Sequence, residues 1–225
     1  MKSLIVRCIA CMVISGALVC FAAGDAVSLA LDFEKEAAGS LPEGWKAETA
    51  YPDVPNTPVA TWKVVEDAKA PSGKHILSLT DINHSATRAY NLLWTNQVRA
   101  KDVTVKVAIR SDKGFEDQGG GPMWRVQDAS NYYVCRYNPL ESNCRLYYVK
   151  DGKRTKIGDA IGIVIPAGEW ITLEVTHIGD NIVCTLNGKE ILNVTDTTIA
   201  NAGGVGLWTK GDAATSFDSF EVKGI

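Results

Sequence analysis

The stretch Asn131-Tyr132-Tyr133-Val134-Cys135-Arg136-Tyr137, continued by Asn138-Pro139-Leu140-Glu141-Ser142-Asn143 and Cys144-Arg145-Leu146-Tyr147-Tyr148-Val149, reads as two strands and a turn. Its flanks are rich in β-branched and aromatic residues, and its centre holds Asn, Pro and Ser, which favour chain reversal. With the turn centred on Pro139-Leu140, Cys135 falls directly opposite Cys144. The Cβ atoms of such a pair lie about 4.5–5.5 Å apart, close to what a disulfide needs. The residues leave two readings of the pair, a bridge or two small buried thiols. Alternation puts Tyr133, Cys135 and Tyr137 on one face with Cys144, Leu146 and Tyr148. Tyr132, Val134 and Arg136 share the other face with Arg145, Tyr147 and Val149. Unpaired guanidinium groups are costly to bury, so the first set is expected in the core and the second on an exposed aromatic and basic face. In the preceding segment Trp124 and Val126 are expected inward, with Arg125 and Gln127 joining the arginine face.

Working outward, the same period of two recurs. Val103, Val105, Val107 and Ile109 alternate with Thr104, Lys106, Ala108 and Arg110; Ile171, Leu173 and Val175 form a second series, and Ile182, Cys184 and Leu186 a third. Each reads as a strand with one buried face. Asn187-Gly188 and Asp151-Gly152 are two-residue hairpin signals, because a type I′ turn needs positive φ at both central residues. About a dozen short strands punctuated by turns predict an all-β fold, a two-sheet jelly-roll sandwich. The one helical hint, at residues 195–202, is expected to give a single turn. Residues 34–60, rich in Pro, Gly and Ala, read as a surface loop.

The 225 residues carry 23 Lys and Arg against 26 Asp and Glu, a formal net charge of −3. No basic excess is available to neutralise phosphates, so nucleic acid is not expected as a partner. Met1, Lys2, Ser3 and Arg7 precede an apolar run from Cys8 to Phe21, which ends at Ala22-Ala23-Gly24. This is the three-part pattern of a secretory signal peptide, and the run is shorter than the roughly 20 residues of a membrane span. The expectation is a signal over residues 1–24 and one domain over residues 25–225, secreted or periplasmic, monomeric and without a membrane span once the signal is removed. Cys135, Cys144 and Cys184 would remain, an odd count in an oxidising compartment.

Several motifs resemble a known group. They are Glu116-Asp117-Gln118-Gly119-Gly120-Gly121, Trp124-Arg125-x-Gln127-Asp128, Asn131-Tyr132-Tyr133, Leu140-Glu141-x-Asn143, Gly204-Val205-Gly206-Leu207-Trp208-Thr209-Lys210 and Phe217-Asp218-Ser219-Phe220-Glu221-Val222. Over residues 27–224 the chain resembles the concanavalin A-like lectin/glucanase superfamily, near laminin G-like domains and the 3-keto-disaccharide hydrolase domain. The resemblance implies a jelly roll whose concave face binds or processes carbohydrate. The Glu-x-Asp-x-x-Glu strand of family-16 glucanases is missing, which argues against a retaining glucanase. Related folds bind a structural Ca²⁺ where first and last strands meet. Asp32 and Asp218 are the residues this implies, with no other cofactor required.

The candidate carbohydrate site then comprises Arg125, Arg136 and Arg145 as hydrogen-bond donors and Tyr132 and Tyr147 as stacking rings. Gln118 lies on the rim, and Trp208 is an alternative platform. Glu116 is the candidate acid or base, or else part of a solvated polar loop. Three functions stay open: a glycan-binding module, a hydrolase or lyase acting on a 3-keto-disaccharide, and a laminin G-like interaction domain.

Overall fold

The computed structural model describes residues 27–50, 58–81 and 88–225. The signal-peptide expectation falls outside these residues. Within them the chain forms fifteen strands: β1 (Ser28–Leu31), β2 (Trp45–Ala50), β3 (Thr61–Glu66), β4 (His75–Asp81), β5 (Tyr90–Ala100), β6 (Val103–Lys113), β7 (Gly121–Asp128), β8 (Asn131–Asn138), β9 (Asn143–Lys150), β10 (Lys153–Ile161), β11 (Trp170–Ile178), β12 (Asn181–Leu186), β13 (Lys189–Thr195), β14 (Gly203–Lys210) and β15 (Ala214–Gly224). They make two antiparallel sheets. One has eight strands, in the order β13-β12-β11-β6-β15-β4-β3, with β1 paired to β15; the other has seven, in the order β10-β9-β8-β7-β14-β5-β2. This is the jelly-roll sandwich that the alternation predicts.

The valines of β6, Ile171, Leu173 and Val175 of β11, and Ile182 and Cys184 of β12 all point into the core between the sheets. Trp124, Tyr133, Leu146, Leu207 and Phe217 meet them there. The two-residue hairpins also form. Asn187 and Gly188 have φ of 49° and 77°, and Asp151 and Gly152 have 51° and 75°.

The surface loop expected over residues 34–60 is interrupted by β2, which pairs with β5 and puts Trp45 in the core. Three further local expectations are corrected. No helical turn forms at residues 195–202. The Asp196 carboxylate accepts the Thr198 N–H at 2.8 Å, a side-chain turn that competes with a helix. The β8–β9 hairpin closes on the pair Asn138 and Asn143, so Cys135 pairs with Leu146 and Cys144 with Tyr137. Asn138 Oδ1 accepts the Leu140 and Glu141 N–H groups at 2.9 and 3.3 Å, which fixes this longer turn. Cys135 and Cys144 are therefore diagonal neighbours with sulfurs 3.5 Å apart, as free thiols and not a bridge. The slip is two residues, and because side chains alternate with period two every residue keeps its face.

The third correction concerns β7. Arg125 adopts φ +48°, and the pairing of β7 with β8 shifts register beyond Trp124. This bulge leaves Trp124 in the inter-sheet core and sends Val126 to the opposite face. Arg125 is 1% exposed. It donates to the carbonyls of Lys101 (2.7 Å), Ile199 (3.0 Å) and Gly179 (3.0 Å). Arg125 is thus a structural tie and does not stand on the arginine face. Gln127 joins the same end, donating to the Arg125 and Ala202 carbonyls.

Candidate functional site

Tyr132, Val134, Tyr147 and Val149 lie on the side of the seven-stranded sheet that faces away from the eight-stranded one, as alternation predicts. They are buried in a second apolar cluster with Leu92, Trp94, Met123, Val126 and Trp208. The exposure expected of them is therefore corrected. Tyr132 and Trp208 are fully buried, and Tyr147 is nearly so. The Trp208 indole N–H donates to the Tyr132 hydroxyl at 3.1 Å. Burial raises the Tyr132 pKa well above its ordinary value, so it stays a phenol. Arg154 of β10 lies across the aromatic group, its guanidinium carbon 4.4 Å from the Tyr147 ring centre, 5.3 Å from Tyr90 and 5.7 Å from Trp208. A cation over these rings is attracted by their quadrupoles.

Toward the β8–β9 turn the same face becomes polar. Glu141 Oε2 accepts from Arg136 (3.2 Å), Arg145 (2.5 Å) and Asn143 (3.0 Å). Arg145 also meets Asp159 at 3.0 Å, and Lys156 pairs with the same carboxylate. Burial works to raise the Glu141 pKa, but the Asn143 bond and the two guanidinium groups outweigh it and hold the carboxyl below its ordinary value.

What marks this end is donors and acceptors that have no partner. Arg136 Nε and Nη1, Asn138 Nδ2 and Asn143 Oδ1 are buried and unpaired, four of ten such atoms among the described residues. The amide orientations are fixed by chemistry, since Asn138 Oδ1 accepts backbone N–H groups and Asn143 Nδ2 donates to Glu141. Leaving such groups unpaired costs about 1–3 kcal/mol each, more where charge is involved. An unpaired amide donor and an unpaired amide acceptor on one cross-strand pair match a group that both accepts and donates, such as a hydroxyl.

A groove of about 680 Å³ on the outer side of the eight-stranded sheet makes a contrast. There Arg110 meets Asp67 (2.7 Å) and Asp112 (2.5 Å), while Ser216 donates to Asp112 (2.6 Å) and contacts Ser78 (2.6 Å). Arg110, Asp67, Asp112, Ser78 and Ser216 satisfy one another there.

Of the other expected site residues, Glu116 is exposed, and its side chain makes no hydrogen bond or ion pair among the described residues. Its loop is held through its backbone: Asp212 accepts the N–H groups of Phe115 (2.6 Å), Glu116 (3.1 Å) and Asp117 (2.8 Å). Gln118 donates to the Gly114 carbonyl at 2.9 Å, inside that loop. Asp117 pairs with Lys210. Asp218 is buried, accepting from the Ser72 N–H (2.8 Å), the Ser72 hydroxyl (3.0 Å) and the Ser219 N–H (2.6 Å). Burial raises its pKa and Asp32 adds to the rise, so the two carboxylates do come within electrostatic reach. Among the described residues no group of three or more His, Cys, Asp or Glu gathers as metal ligands.

The structure thus brings Arg136 and Arg145 together and removes Arg125 from them. Arg154, Asn138, Asn143 and Glu141 were absent from the expected site. Alternation across the Asp151-Gly152 hairpin carries the signal for Arg154, which pairs with outward-facing Val149.

Comparison with known proteins follows the fold. The carbohydrate-binding module CBM66 from Bacillus subtilis superposes with a TM-score of 0.60 at 17% identity, covering 80% of this chain and 95% of that one. Cellulose induced protein Cip1 gives 0.62 at 18% identity, covering 86% and 96%. The exoplasmic/lumenal domain of VIP36, in its Ca²⁺/Man-bound form, gives 0.56 at 11% identity, covering 87% and 88%. No curated protein matches the chain. The model of one family covers residues 33–223, and the chain therefore belongs to the 3-keto-alpha-glucoside-1,2-lyase-like domain family.

Proposed function

We propose that this chain is an exported domain that recognises a carbohydrate on the outer face of its seven-stranded sheet, at the turn end of β8 and β9. The observation that carries the reading is the unpaired Asn138 donor beside the unpaired Asn143 acceptor. Sugar hydroxyls supply both complements. The similarity to a carbohydrate-binding module and to a lectin-like lumenal domain supports the same reading. Among the described residues no helix is long and apolar enough to cross a membrane. The test is calorimetric titration of the purified domain with a panel of oligosaccharides, repeated with Asn143→Ala. The reading expects saturable binding to at least one member, weakened about tenfold by the substitution, the order of one lost hydrogen bond. An Asn143→Ala protein that melts normally and binds as before would contradict it.

Family membership favours a second reading, a lyase acting on a 3-keto-glucoside. A ketone at C3 acidifies the C2 proton. A base takes that proton, the electron pair forms the C1–C2 double bond, and the C1–oxygen bond breaks, the departing oxygen taking a proton. Arg136 would stabilise the enolate oxygen, and Glu141 is the carboxylate beside it. Release of the aglycone from a 3-keto-α-glucoside, lost in Glu141→Gln, selects this reading. Intact substrate after long incubation removes it.

A further inference from the structure

We propose that the carbohydrate taken by this face is anionic, carrying a uronate carboxylate or a sulfate ester that is seated on Arg136. The inference rests on the glycan reading above and deepens it. Arg136 is 4% exposed. Only one of its nitrogens has a partner, Nη2 on Glu141 at 3.2 Å, and Nε and Nη1 have none. Glu141 is shared with Arg145, so its single charge faces two guanidinium groups.

The charge count on the outward side of β8, β9, β10 and the β8–β9 turn points the same way. Arg136, Arg145, Arg154 and Lys156 are four cations, and Glu141 and Asp159 are the two carboxylates, which pair with all of them but Arg154. The excess is two positive charges on a chain whose formal net charge is −3. Among the described residues Arg154 has no carboxylate partner; its guanidinium rests on aromatic rings, with Nη1 unpaired. A neutral sugar could meet the hydrogen-bonding demand of these nitrogens but not their charge. A buried guanidinium is stabilised far more by an anion that also accepts its hydrogen bonds, and those charge-assisted bonds are about twice as strong as neutral ones.

The groove on the eight-stranded sheet makes the comparison internal. Its one arginine, Arg110, is bracketed by two aspartates and stacks 4.9 Å from the Trp170 ring centre. It has no charge left over.

The test titrates the full domain calorimetrically with oligogalacturonate and with the same oligomer after reduction of its carboxyls to alcohols. A second pair is a sulfated oligosaccharide and its desulfated parent. The proposal expects one anionic member to bind about tenfold or more tightly than its neutral parent, with affinity falling as salt rises. Arg136→Gln should abolish that preference, and Arg136→Lys should retain part of it. The ligand comparison needs no variant, so it stands even if a substituted protein folds poorly. Equal binding of anionic and neutral members overturns this inference while leaving the glycan reading intact. Undiminished preference in a folded Arg136→Gln protein also overturns it. Failure of every oligosaccharide in both pairs and in the panel above removes both readings together.

Discussion

Trp124 of the seven-stranded sheet donates its indole N–H to Nδ1 of His177 on the eight-stranded sheet at 3.0 Å. The Trp124 ring stacks on Tyr133, and His177 meets both rings edge-on. Because Nδ1 accepts, the imidazole carries its proton on Nε2 and is neutral. Burial, and then the nearby Arg125 charge, lower the His177 pKa to about 4.

That shift sets a pH dependence of folding. An unfolded histidine binds its proton near pH 6.5, whereas His177 in the folded domain does so only near pH 4. The unfolded state therefore holds more protons between these values. Stability from this group is complete above about pH 6.5 and is lost as pH falls toward 4. Urea unfolding at pH 7, 5.5 and 4.5 should show the decline. The part owed to His177 should vanish in His177→Gln, whose amide can still accept from Trp124. An unchanged pH profile in that variant would refute the assignment.

Arg125 should behave as a structural residue. Its removal leaves the Lys101, Ile199 and Gly179 carbonyls without their donor. It also removes the side chain that sustains a left-handed backbone at a non-glycine position. Arg125→Met is expected to cost about 3 kcal/mol or more in urea unfolding. Carbohydrate affinity of the folded fraction should not change. A stable variant that has lost binding would return Arg125 to the site.

The three core cysteines give a chemical check. Cys144 works to lower the Cys135 pKa, but the contact with Cys184 and then burial outweigh it and push the thiol well above its ordinary value. Cys144 is pushed up as well, by Cys135 and by burial. Thiols held neutral and out of water should not react with a maleimide in the native domain. Unfolding should release three reactive thiols. A single thiol would show that Cys135 and Cys144 bridge in spite of their diagonal register.

The strands were legible in the sequence because each is a local pattern. Alternation in β6, β11 and β12 and the Asn187-Gly188 turn need no knowledge of distant partners. The Pro139-Leu140 turn signal misplaces the β8–β9 register by two residues. Even so, the faces of Arg136 and Arg145 came out correctly, because a slip of two preserves parity. Arg125 was not legible. A left-handed arginine is locally unfavourable, and its three acceptors come from distant parts of the chain. The burial of Tyr132, Tyr147 and Trp208 was hidden for a similar reason. Arg154 and Tyr90, which pack on them, come from other strands. The unpaired Asn138 and Asn143 atoms depend on the turn geometry, so a shifted turn concealed them.

The most direct test is a side-chain NMR titration of the labelled domain with the oligosaccharide that binds best. It would follow the Arg136 and Arg154 Nε–H signals and the Asn138 and Asn143 amides. The account predicts that these signals shift on ligand addition while that of Arg110 does not. Shifts confined to Arg110 and its surroundings would place the ligand on the opposite sheet and contradict the account.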